Sequence, residues 1–60
     1  MTFEEIQVGD FVHDIGNPIV GGRVTQKLKT RVKVYFATGI TAPFIGTYTK
    51  NYCRFLVKEN

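Results

Sequence analysis

Few residues in this chain have side chains suited to covalent or acid–base chemistry, and their spacing matters more than their presence. His13 stands beside Asp14, and Cys53 is the single cysteine. A thiol, an imidazole and a carboxylate are the parts of a nucleophilic triad. On a strand, however, neighbouring side chains point to opposite faces, so Asp14 cannot orient His13 directly. Cys53, set among Tyr52, Arg54 and Phe55, reads as a small packed hydrophobe. His13 and Cys53 cannot supply the four ligands of a structural zinc site, so no metal is expected. Glu4 and Glu5 sit where acids complement the start of a helix. Gly21-Gly22 lacks the Lys-Ser/Thr that follows a phosphate-binding glycine loop and reads as a bend in a strand. No catalytic residue and no cofactor is expected: the chain reads as a binder, not an enzyme.

The residues better suited to a function are cations and apolar groups. The sequence carries a net charge of +3, unevenly spread. Residues 1 to 22 hold Glu4, Glu5, Asp10 and Asp14 and no Lys or Arg, whereas all eight basic residues fall between Arg23 and Lys58 with only Glu59 against them. Such a split can give a basic face that attracts phosphate or an acidic protein surface. Arg23, Lys27, Lys29, Arg31, Lys33 and Arg54, with Tyr35 among them, could hold a single nucleic-acid strand. Phosphates would meet the charges while a base stacks on the ring. The segment Ala37 to Gly46 carries no charge but holds Ile40, Pro43, Phe44 and Ile45. An apolar surface loop must either fold back on the core or enter a partner. In the second case Phe44, Ile40 and Ile45 anchor a protein partner, and Arg31, Lys33 and Tyr35 flank them. A third arrangement is a homo-oligomer holding a small anionic, nucleotide-like ligand near Gly21-Gly22.

These side chains need a scaffold, and 60 residues allow one domain, residues 1–60. With 43% hydrophobic residues the chain is expected to fold, although a domain this small buries a modest share of its surface. Self-association would help it. The lone cysteine fits a reducing compartment, no segment has the form of a signal peptide, and no apolar run reaches the ~20 residues needed to span a bilayer. The expected location is cytoplasmic, with no membrane partner.

Thr2 and Glu5 form a capping-box pattern around one short helical turn whose apolar side is Phe3 and Ile6. A strand is expected at Phe11 to His13 and another at Ile19 to Lys27, separated by Gly16-Asn17-Pro18. Arg31 to Phe36 is the clearest element: Val32, Val34 and Phe36 face one way, Arg31, Lys33 and Tyr35 the other. Ala37 to Gly46 reads as a loop, Thr47 to Lys50 as a short strand, Asn51 to Cys53 as a tight turn. Arg54 to Lys58 reads as a last strand, with Phe55 and Val57 opposite Arg54, Leu56 and Lys58. Five short strands bury little if flat, so an all-β, five-stranded barrel with a short N-terminal helical turn is expected.

The stretches Val8-Gly9-Asp10-Phe11-Val12, Gly22-Arg23-Val24, Val32-Lys33-Val34-Tyr35-Phe36 and Tyr52 to Val57 resemble, in order, the first three strands and the closing turn and strand of SH3-like barrels. In plan the chain is similar to KOW-type, Tudor-like and PsaE-like barrels. Its size and style resemble the small accessory or inhibitory proteins that phages encode. The resemblance implies a non-enzymatic binding module that engages a protein, with nucleic acid the alternative partner.

Overall fold

A computed structural model describes residues 1–37 and 42–59. The chain opens with a 3-10 turn at Phe3–Glu5, held by the expected capping box. The Glu5 amide donates to Thr2 Oγ1 at 3.3 Å, and the Thr2 amide donates to Glu5 Oε1 at 2.8 Å. The Thr2 amide and the Thr2 hydroxyl, which also donates to Glu5 Oε1 at 3.2 Å, hold the Glu5 carboxyl below its usual pKa. The capped turn delivers Ile6 into the core and lays Phe3 against it. The ammonium groups of Lys27 and Lys50 lie 4.8 and 5.0 Å from the Phe3 ring centre, and Lys27 also donates to the Ile6 carbonyl at 2.9 Å. This N-terminal lid on the core is therefore fastened by two cation–π contacts and a hydrogen bond.

Five antiparallel strands follow: β1 (Phe11–Asp14), β2 (Asn17–Lys27), β3 (Arg31–Phe36), β4 (Phe44–Thr49) and β5 (Leu56–Lys58). Their order in the sheet is β4-β3-β2-β1-β5, so β4 and β5 are the edges and are not paired with each other. The fold is all-β. Among the described residues the sheet is not closed by backbone pairing, and one side-chain bond spans it: the Tyr48 hydroxyl donates to Asp14 Oδ2 at 2.9 Å, joining β4 to β1. Burial and that bond push the Tyr48 phenol well above its ordinary pKa. The N-terminal ammonium adds a tie to the Leu56 carbonyl.

The core is a layer of inward side chains: Val12, Val20, Val24, Val32, Val34, Phe36, Cys53 and Leu56, with Ile6 from the lid. β3 follows its expected alternation residue by residue, with Val32, Val34 and Phe36 buried. Gly22 is fixed by packing. A methyl group there would stand 2.7 Å from both Phe36 and Val34, so the inner face accepts no side chain at this point. The register of β2 on β3 shifts between Val24 and Gln26, which places the bulge beyond the glycine pair.

Three sequence expectations are corrected. β2 begins at Asn17, inside the expected breaker. The turn needs only Ile15 and Gly16, and Asp14 Oδ1 caps it by accepting the Gly16 amide at 2.8 Å. Phe44, Ile45 and Gly46 belong to β4, fully paired with β3, and not to a loop. The segment Tyr52–Phe55 is a 3-10 turn, so the last strand starts at Leu56. That turn inverts the expected facing: Leu56 is buried and Val57 exposed.

Candidate functional site

The outer face of the sheet carries a row of side chains in register across four strands. Phe11 pairs with Arg23, Arg23 with Tyr35, and Tyr35 with Ile45. Directly opposed residues in antiparallel strands put their side chains on the same face, so these four form one stripe. Phe11 is 57% exposed, Tyr35 42% and Ile45 62%. The Arg23 guanidinium lies 5.6 Å from the Phe11 ring centre, and this contact holds the stripe's only charge flat against the sheet. Single exposed apolar residues are ordinary, but three aligned on one sheet face form a patch.

Beside the stripe the sheet dips. A groove of about 430 Å³ is lined by Phe11, Tyr35, Ala37 and the glycine pair, with Arg23 and Glu59 adding one charge of each sign. Gly21 lies across from His13 and has no side chain to fill the groove. His13 Nδ1 lies 3.6 Å from Glu59 Oε2, and Val57 pairs with His13 and extends the apolar area onto β5.

The expected anchors divide between two faces. Ile45 stands on the outer stripe. Phe44, its neighbour, points to the other side, where its ring stacks on Phe36 at 5.1 Å between centres. There it walls a cleft of about 350 Å³ with Asp14, Val20 and Tyr48, and it is 47% exposed. Phe44 thus extends the core at its open end while keeping half its surface free. Ile40 lies outside the described residues.

The basic residues divide as well. Arg23, Arg31, Lys33 and Tyr35 share the outer face of β2 and β3. Lys27 is turned to the N-terminal lid, and Arg54 lies in the second 3-10 turn, 5.0 Å from the Phe55 ring centre. Lys29 is exposed in the turn between β2 and β3. Among the described residues, the side chains of Lys29, Arg31 and Lys33 make no hydrogen bond, ion pair or ring contact. The seven positions are therefore a four-residue face, one flexible-tipped lysine beside it, and two cations committed elsewhere.

Cys53 is fully buried, and burial raises its thiol pKa. His13 is on the outer face with Glu59. No group of three metal-ligating side chains occurs among the described residues, and no described helix is long and apolar enough to cross a membrane.

Sequence reasoning missed Phe11. The signal was present: His13 is polar and Val12 apolar, so a period of two puts Phe11 with His13 on the outer face. The stripe itself depends on register, which the sequence does not print. No protein-family model, no curated protein and no solved structure matches this chain.

Proposed function

We infer that this protein is a non-enzymatic docking module that binds another protein through the outer face of β1 to β4. The observation that carries the reading is the register-aligned stripe Phe11–Arg23–Tyr35–Ile45 beside an apolar groove. Exposed aromatic side chains and an arginine are the residue types that dominate binding energy at protein interfaces. The chain's strand plan supports the scaffold reading: a meander from β1 to β4, a 3-10 turn, then β5 returning to β1. That is the plan of an SH3-like barrel, with the Tyr48–Asp14 contact lying at the seam. An accessory or inhibitory role suits a module with one exposed docking face.

The test is a differential capture from nuclease-treated lysate. Wild type, Phe11→Ala and Ile45→Asp are compared at equal folded concentration. The expected result is a protein retained by wild type and lost by both variants, at a cost of roughly 2 kcal/mol or more per anchor. Retention by both variants removes the stripe from the account.

A second reading is favoured by one observation. Lys29, Arg31 and Lys33 are uncommitted among the described residues, and Arg31 and Lys33 share the outer face of β3 with the exposed Tyr35 ring, an arrangement a single nucleic-acid strand can use. Glu59 in the groove opposes phosphate there, which ranks this reading second.

A further inference from the structure

The backbone of β4 offers more than the side chains do. The Lys50 amide donates to the Thr30 carbonyl at 3.2 Å, and this fixes which residues of β4 turn toward β3. Antiparallel pairs alternate between hydrogen-bonded and non-bonded. The bonded pairs on β3 are then Val32 with Tyr48, Val34 with Gly46 and Phe36 with Phe44. The same parity follows from the other side of the sheet, where the Val24 amide donates to Asp10 at 2.9 Å. Ile45, Thr47 and Thr49 therefore aim their N–H and C=O groups at the free edge, and all three are exposed.

The two edges of the sheet differ. β5 has three residues, ends in Lys58 and is followed by Glu59, the short, charged form that discourages further pairing. β4 has six paired residues, no charge and no proline. Among the described residues it is the edge left able to accept a strand.

We propose that the free edge of β4 takes an extended, acidic–apolar segment of a partner protein as a sixth antiparallel strand. This rests on the protein-docking reading above and names the segment that would dock. Charge complementarity selects it. The outer-face neighbours of Thr49, Thr47 and Ile45 on β3 are Arg31, Lys33 and Tyr35. A sixth strand lies two spacings, roughly 10 Å, from β3. Threonine is short enough for Arg31 and Lys33 to lean across it toward the new strand. The segment that fits has acidic side chains opposite Thr49 and Thr47 and an apolar one opposite Ile45, where it continues the stripe. Main-chain bonds supply affinity and the alternating side chains supply specificity, as in other strand-addition complexes. A second copy of this chain fits less well. Two-fold pairing about Thr47 would bring Arg31 and Lys33 of both copies to one seam with no acid between them.

The probe is a fluorescein-labelled peptide with the core glutamate–valine–glutamate–valine–valine, titrated with the whole protein and followed by anisotropy. Saturable binding is expected. It should weaken at least about tenfold when the peptide's central amide, opposite Thr47, is N-methylated, because one edge hydrogen bond and the strand contact are lost. Thr47→Pro should weaken it similarly while Thr47→Val does not, since proline at an edge position facing outward removes only the free N–H. Lys33→Glu should weaken the glutamate peptide and favour its lysine counterpart. Absence of binding up to about 1 mM overturns the proposal. So does equal affinity for the N-methylated peptide; in that case loss of binding in Phe11→Ala leaves the stripe reading standing. A wild-type dimer in sedimentation that Thr47→Pro abolishes gives the edge to a second copy instead.

Discussion

At the scale of single residues, two positions show how the molecule spends its polar and its smallest groups. Tyr48 reaches from β4 to Asp14 on β1, and burial with that hydrogen bond raises its phenol pKa. A folded-state pKa above the unfolded value near 10 means the folded protein holds its proton longer. That contribution to stability is fully present below about pH 10 and is lost as pH rises further. Tyr48→Phe should therefore cost about 0.5–1.5 kcal/mol at pH 7 and leave a shallower decline in stability at alkaline pH. Urea unfolding at pH 7, 9, 10 and 11 reads both effects. Cys53, whose pKa is also raised, keeps a residual decline in the variant. An unchanged alkaline slope would remove Tyr48 as its source. Gly22 is the opposite case, a position where a methyl group meets Phe36 and Val34 at 2.7 Å. Gly22→Ala should destabilise by roughly 1–3 kcal/mol through overpacking. A cost in the double variant Gly22→Ala, Val34→Ala that falls below the sum of the two single costs, because one of the two close contacts is relieved, would separate crowding from a backbone effect.

At the scale of elements, legibility followed the strength of the periodic signal. β3 was readable because apolar and polar residues alternate without a break from Arg31 to Phe36 and both faces agree with the pattern. The capping box was readable because Thr2 and Glu5 act on each other locally and need no tertiary partner. β4 was not. Pro43 and Gly46 look like loop punctuation, yet Gly46 sits in the strand because Phe36 and Tyr48 crowd its inner face. The chain end was misphased for a similar reason. The 3-10 turn Tyr52–Phe55 advances the chain by a different rotation per residue than a strand, so alternation counted from Arg54 arrives inverted at Leu56. Part of the candidate site was legible as residue types, in Tyr35, Arg23, Arg31, Lys33 and Ile45, but the stripe was not, because cross-strand register joins residues up to 34 positions apart. The phase at the chain end is open to direct measurement. Leu56→Ala should cost about 2–5 kcal/mol by leaving a cavity, whereas Val57→Ala, on the exposed face, should stay within about 0.5 kcal/mol. Comparable costs from chemical denaturation of both would mean that the 3-10 turn does not set the facing of β5.

At the scale of the whole molecule, the charge imbalance resolves into a small reactive surplus. Asp10 faces Lys58 at 3.9 Å, Asp14 holds Tyr48 and the Gly16 amide, Glu5 caps the first turn, and Glu59 faces His13. Lys27, Lys50, Arg23 and Arg54 lie on aromatic rings. The cations left without such a contact among the described residues are Lys29, Arg31 and Lys33, clustered at one end of the β2–β3 hairpin. This concentration sets a limit that separates the two partner classes. A single nucleic-acid strand held by three cations releases few counterions, with a slope of log affinity against log salt of roughly −2. Raising salt from about 50 to 200 mM should then weaken binding of a thymidine oligonucleotide roughly 20-fold, and the triple change Lys29→Ser, Arg31→Ser and Lys33→Ser should abolish the dependence. A protein partner held by Phe11, Tyr35 and Ile45 should lose far less over the same range, because apolar burial is not screened by salt while the cations act mainly on the rate of encounter. In the triple variant a partner held by the stripe alone should associate more slowly yet dissociate at close to the wild-type rate, whereas an acidic strand docked on β4 should also dissociate faster. Stopped-flow association with surface-based dissociation measures the two rates separately. A dissociation rate raised in proportion to the lost affinity would place the hairpin cations inside the interface, as strand addition at β4 requires, and not at the margin of a stripe-only interface.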